Sequence, residues 1–126
     1  MSEWLKRLTF GSAAWNAWRR EHPDLVITLD HADLNGMILT GIDFGRVSLR
    51  GASMHATNLM NADLRGADLT GANLTEADLI CANLEGAILS GARLVEADLL
   101  GASLRGAQYS VDDLEGALHV PSTQSM

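Results

Sequence analysis

The feature that most restricts this chain is a five-residue period, kept without insertion from Ile27 to Val111. Stepping by five from Leu29, one column reads Leu29, Leu34, Leu39, Phe44, Leu49, Met54 and Leu59, and continues through Leu104 to Tyr109. All seventeen members are large and apolar, and fourteen are Leu. The column two residues earlier is Ala in twelve of its seventeen positions. Such a period matches neither the roughly 3.6 residues of a helical turn nor the roughly 2 of a plain strand. Each unit must therefore join a short extended piece to a corner. Residues two apart in an extended piece point to the same side, so the Ala and Leu columns face inward together.

The corners are marked by glycine. Nine of the twelve Gly, from Gly36 to Gly106, sit two residues after the Leu column, where a tight turn favours a residue without a Cβ. Stepping by twenty, this corner position reads Gly51, Gly71 and Gly91 on one side, Gly66, Gly86 and Gly106 on another, and Ala56, Glu76 and Glu96, with no Gly, on a third. Steps of fifteen mix the sets, as in Gly51, Gly66, Cys81 and Glu96. The outer residues thus point to a coil of twenty residues with four sides.

Units such as Asn61-Ala62-Asp63-Leu64-Arg65 and Gly66-Ala67-Asp68-Leu69-Thr70 carry an A-(D/N)-L-x-x pattern over about two thirds of the chain. In this the chain resembles the pentapeptide repeat family. The resemblance implies an all-β solenoid, a right-handed quadrilateral parallel β-helix with four pentapeptides per coil. Seventeen units then make about four coils, and paired coils roughly 4.8 Å apart give a rod only about 20 Å long. The expected organisation is an N-terminal helical cap over 1–26, the β-helix over 27–111, and a short C-terminal helix with a frayed tail over 112–126.

The first 26 residues lack the period and hold all three Trp. Trp4, Leu5 and Leu8 suggest a short helix, Gly11 and Ser12 break it, and Ala13 to Arg20 suggests a second helix stopped by Pro23. Trp15 and Trp18 share a face of that second helix. The run Trp15-Asn16-Ala17-Trp18-Arg19 followed by Pro23 resembles the W-N-x-W-R…P leader of some bacterial pentapeptide proteins. Trp4, Trp15 and Trp18 are expected to cover the first coil, whose open end would otherwise expose Leu29 and unpaired backbone groups. At the other end Tyr109 closes the period. Ser110-Val111-Asp112-Asp113 has the spacing of a helix start, and Val111, Leu114 and Leu118 share a helical face. A short helix over 111–118 is expected there.

Composition argues mainly by exclusion. The formal charge is −7. An acidic balance disfavours nucleic-acid binding through phosphate neutralisation. The four His share no ligand spacing, and Cys81 is the one cysteine, so neither a disulfide framework nor a cysteine-rich zinc site is expected. The glycines lie at corners and form no phosphate loop. The carboxylates are expected on a convex, solvated exterior, without a cleft suited to acid–base chemistry. No signal peptide or membrane span is expected, and the lone Cys suits a reducing cytoplasm. The reading is of a protein that is not an enzyme and has no cofactor and no metal site.

One outer column rises above this background. Of the residues just after the Leu column, four are large and apolar, and three of these, Met60, Ile80 and Leu100, are twenty apart. On a four-sided coil they stack on one face, flanked by Asn61 and Cys81. Glu76 and Glu96 precede that face, and Asp78 and Asp98 lie within it. An apolar stripe rimmed by polar groups marks a contact surface. Two function classes follow. One is a rigid interaction module that uses this face for another protein or for a second copy. The alternative, implied by the family resemblance alone, is an acidic mimic of duplex DNA that protects DNA gyrase. Against it stand the five Arg of the repeats and the short rod.

Overall fold

The computed structural model describes residues 2–122. Two helices lead, α1 (Glu3–Leu8) and α2 (Ser12–Glu21). The Ser2 hydroxyl accepts the Leu5 amide at 3.0 Å and opens α1, while Gly11, at φ 95°, separates the two helices.

From Thr28 onward the chain pairs with itself at one offset. Parallel bridges from Thr28–Ser48 to Asp98–Leu118 each join residues twenty apart. Four five-residue units, and hence four turns, separate each bridge from the one stacked on it. No continuous strand occurs among the described residues, because each unit spends two residues on its turn. Each bridge instead has two backbone bonds, as where Leu64 donates to the Asn83 carbonyl (2.8 Å) and Asn83 donates to the Ala62 carbonyl (2.9 Å). A third bond closes the corner, Ala62 donating to the Leu59 carbonyl at 3.0 Å. Most backbone amides of the repeats are thereby satisfied within the ladder and its corners.

The Leu column is buried from Leu29 to Leu104, and the Ala column is buried from Ala62 to Ala102. Each Leu removed from water contributes about 1.5–3 kcal/mol. Thr57 breaks the Ala column without leaving a buried orphan, because its hydroxyl donates to the Leu34 carbonyl at 2.8 Å. The second turn residue has positive φ at every corner from His31 to Gly106, whether it is Gly or not. Seven corners hold non-glycine residues there, among them Arg46, Asn61, Glu76 and Glu96. Each costs on the order of 1 kcal/mol, which the ladder on either side outweighs.

α2 lies against the first coil. Trp15 is buried edge-on to Phe44 with ring centroids 5.6 Å apart, and its Nε1 donates to the Asp43 carbonyl at 2.7 Å. Asn16 accepts the Asp43 amide (2.7 Å) and donates to the Gly41 carbonyl (3.0 Å). Arg19 donates to the carbonyls of Asp43 and Gly45, both at 3.1 Å. Deeper in the ladder, the amide of Asp63 is taken by Ile42 of the preceding coil and its carbonyl by Phe44. Three side chains of α2 thus perform at Asp43 what a preceding coil performs at Asp63. Trp18 packs on Trp15 and Trp4, with the Arg7 guanidinium 4.5 Å over its ring.

The C-terminal end differs from expectation. The helix expected over 111–118 is a single 3-10 turn, Val111–Leu114. After it the five-residue pattern resumes: Leu114 is half-buried, Gly116 takes positive φ, and Leu118 bridges Asp98, donating to the Ala97 carbonyl at 2.8 Å. The period therefore continues past Tyr109. The coil's gain of a further rung wins over the helical spacing of Val111, Leu114 and Leu118. Of the frayed tail expected over 120–126, residues 123–126 lie outside the described residues.

Candidate interaction surface

The outer surface is built by the residue before each Leu. Where it is Asp or Asn, its side-chain oxygen accepts the amide two residues on. Asn58 takes Met60 (3.0 Å), Asn73 takes Thr75 (3.1 Å), Asp78 takes Ile80 (3.0 Å) and Asp98 takes Leu100 (3.0 Å). These amides face away from the ladder and would otherwise rely on water. Where Ser48 and Ser53 replace the acidic or amide residue, the coil above supplies the oxygen. Asp30 accepts the Arg50 amide at 3.0 Å, and Asn35 accepts the His55 amide at 2.8 Å. The expectation of simply solvated carboxylates therefore needs amending: most of this column is half-buried and holds the turns. Its signal in the sequence was the free exchange of Asp and Asn, which share an acceptor oxygen and differ in charge.

The structure brings Met60, Ile80 and Leu100 together on successive coils. The Asn58–Asp78 and Asp78–Asp98 bridges put them in register, and the amides of Asn61 and Cys81 donate to the Ile80 and Leu100 carbonyls at 2.9 and 2.8 Å. Met60 and Ile80 are half-buried, whereas Leu100 is 51% exposed. Two more apolar residues share this face. Ile38, 75% exposed, and Leu118, 44% exposed, lie in the adjoining column, whose middle members are Asn58, Asp78 and Asp98.

The four carboxylates at this face divide into two kinds. Asp78 and Asp98 lie within it and hold backbone amides, and Asp98 also meets His119 Nδ1 at 2.9 Å. The His119 contact, then the Leu100 amide, hold the Asp98 carboxyl below the usual range. Glu76 and Glu96 stand exposed at the corner, Glu76 lying 3.8 Å from His55 Nε2. Only these two Glu carry their charge outward along the edge.

Sequence reasoning missed a second feature, an open cleft of about 490 Å³ where α2 meets the repeats. Arg19, Arg20, Arg46 and Arg65 line it, with Asp43, Asp63 and Gly45. Arg65 pairs with Asp63 through two nitrogens at 3.0 and 2.9 Å. The available signal was Gly45, the one Gly between Ile27 and Val111 that does not lie two residues after the Leu column. No group of three or more His, Cys, Asp or Glu among the described residues could hold a metal ion. No helix among them is long and apolar enough to cross a membrane.

A ladder of five-residue units, with inward Leu and Ala and outer Asp or Asn, defines a solenoid repeat protein. The family model of pentapeptide repeats matches in eight copies, over residues 29–66, 57–94 and 67–106, and the chain belongs to that family. Among solved structures it is similar to a pentapeptide repeat protein of Nostoc PCC 7120, at 28% identity and TM-score 0.66, over 79% of this chain and 96% of that one. It is also similar to a pentapeptide repeat protein of the Arabidopsis thaliana thylakoid lumen, at 35% identity and TM-score 0.54, over 64% of this chain. The chain spans about half of the Arabidopsis protein, covering 52% of it. No curated protein matches the chain.

Proposed function

We propose that this protein is a non-catalytic interaction module, a right-handed four-sided parallel β-helix capped over residues 1–26, that offers the Met60–Ile80–Leu100 face to another protein. Family members of known structure have that handedness and shape, which supports the finer description of the fold. The observation that carries the functional reading is the register of the stripe. Met60, Ile80 and Leu100 stack in one outer column, and Ile38 and Leu118 lie on the same face at the two ends of the adjoining column, whereas the other outer columns are mixed or polar. Glu76 and Glu96 along its edge favour a partner with basic groups beside an apolar strip, the usual division between the centre and rim of an interface.

The test is the solution mass of the wild type and of the Ile80→Glu, Leu100→Glu double variant, by light scattering after gel filtration, together with capture of partners on each. The reading expects an assembly larger than the 13.5 kDa chain, or a captured protein, that the double variant loses. If mass and every captured partner are the same for both, the reading fails. The alternative, a gyrase-protecting mimic of DNA, has less support. Duplex DNA presents a charge about every 1.7 Å, whereas Asp63 and Asp68 are each paired with an Arg, Arg65 and Arg50.

A further inference from the structure

The arginine cleft is unexpected in so acidic a chain. Four of the nine basic residues line it, and of the carboxylates only Asp43 and Asp63 do. Those two are already engaged. Asp63 holds Arg65, and the Asp43 carboxylate accepts the Gly45 amide at 3.0 Å. Arg19 forms the inner wall, with 8% exposure. Its terminal nitrogens are committed to carbonyls, its Nε is buried without a partner, and the nearest carboxylate oxygen, on Asp43, is 3.9 Å away. A buried guanidinium balanced mainly by carbonyl dipoles leaves a positive potential. The Arg65 hydrogen bond, with a smaller contribution from the Arg19 charge, holds the Asp63 carboxyl below its usual range against the effect of burial. Neither Arg20 nor Arg46 has an ion pair among the described residues.

Gly45 gives this cleft its shape. Its backbone is not left-handed, so no conformational demand explains the glycine. The equivalent position on later coils holds Arg65, Glu85 and Arg105. A Cβ at Gly45 would stand 3.2 Å from Asp43 Oδ1, and any longer side chain would enter the space between Arg19, Arg46 and Arg65.

We propose that the cleft binds a phosphate group, free or as the monoester end of a small molecule, held by Arg20 and Arg46 over Gly45 with Arg19 behind. The guanidinium fork matches phosphate oxygens in pairs, and two uncommitted arginines match a dianion. A singly charged carboxylate gains less from the same groups, having half the charge and one fewer acceptor oxygen, while Asp43 and Asp63, engaged by the Gly45 amide and Arg65, oppose either anion.

The test uses the full chain at low salt, titrated with inorganic phosphate, glycerol phosphate and acetate, and followed by the amide resonances of Gly45 and Arg46. Arg46→Gly is the informative variant, because Arg46 has φ 60° and glycine suits that corner, so loss of binding cannot be assigned to a damaged fold. Arg93→Gln, an exposed Arg on another face, removes the same charge elsewhere. The expected result is a saturable shift with phosphate, weakened at least about tenfold in Arg46→Gly and unchanged in Arg93→Gln. Tighter binding of glycerol phosphate assigns the ligand to the monoesters, and equal affinities make free phosphate sufficient; both uphold the site. Absence of saturation, equal binding of acetate, or an equal loss in Arg93→Gln overturns it.

Discussion

The two ends of this solenoid are closed by different means. At the N-terminal end, Trp15, Asn16 and Arg19 occupy the Asp43 amide and the Asp43 and Gly45 carbonyls that a preceding coil would occupy. An aromatic cluster of Trp4, Trp15 and Trp18 then covers Phe44. At the C-terminal end one 3-10 turn and one rung at Leu118 close the coil, Tyr109 and Leu114 stay half-buried, and Val111 is exposed. A parallel ladder leaves half its hydrogen-bonding groups unpaired at each end. Here helix side chains pair a part of them at one end, on the side of Asp43 and Gly45, and a shortened unit of the repeat pairs a part of them at the other.

The largest effect should come from the aromatic plug. Trp15→Ala is expected to cost about 3–5 kcal/mol in urea unfolding, the range for emptying a large buried site. Leu114→Ala, on the half-buried side of the last turn, should cost no more than about 1–2 kcal/mol. Equal losses would erase the distinction between the ends. Asn16→Ala comes next, at about 1–3 kcal/mol, because it leaves the Asp43 amide buried without an acceptor. Asn16→Asp keeps that acceptor and should recover part of the loss.

Acid sharpens the comparison further. Asp98, held low by His119 and the Leu100 amide, and Asp113, held low by the Ser110 and Gly91 amides, secure the C-terminal end. Depressed carboxyls stabilise the fold above their ordinary value of 3.8, and that contribution is lost as pH falls through the lower folded values. The plug depends on Trp15 and Asn16, which do not titrate, and on Arg19. Between pH 5 and pH 2 the rungs at Gln108 and Leu118 should therefore loosen before those at Asp43, as read by the temperature dependence of their amide signals. The smallest effect is a gain. Arg46→Gly near one end and Glu96→Gly near the other should each stabilise by about 0.5–1 kcal/mol by relieving a left-handed side-chain residue. Similar gains would show that the ends differ in closure and not in their corners.

How far this was legible in the sequence depends on the range of the signal. The inward columns and the twenty-residue offset repeat many times, and both reappear in the bridges. The 3-10 turn was misread because a short segment with apolar residues at Val111, Leu114 and Leu118 fits a helix as well as a resumed period of five. Gly116, two residues after Leu114, was the arbiter. The roles of Asn16 and Arg19 were hidden, since which carbonyls lack partners is a property of the coil's end and not of the leader. The cleft was hidden for the same reason: Arg19 and Arg20 meet Arg46 and Arg65 only once α2 is docked. The grouping of Met60, Ile80 and Leu100 was readable, but Ile38 and Leu118 lie in the adjoining column, before the Leu and not after it, and join the face only when both outer columns of a side are taken together.

Native-state hydrogen exchange tests the central claim, that the N-terminal end is sealed by a substitute rung while the C-terminal end is held by a weaker one. The amides of Asp43 and Phe44 should exchange only through global unfolding. Those of Gln108 and Leu118 should exchange at least about tenfold faster through local opening. Asn16→Ala should bring Asp43 down to the C-terminal level while leaving Leu118 unchanged. Equal protection at both ends, or a Gln108 amide slower than that of Asp43, would contradict the account.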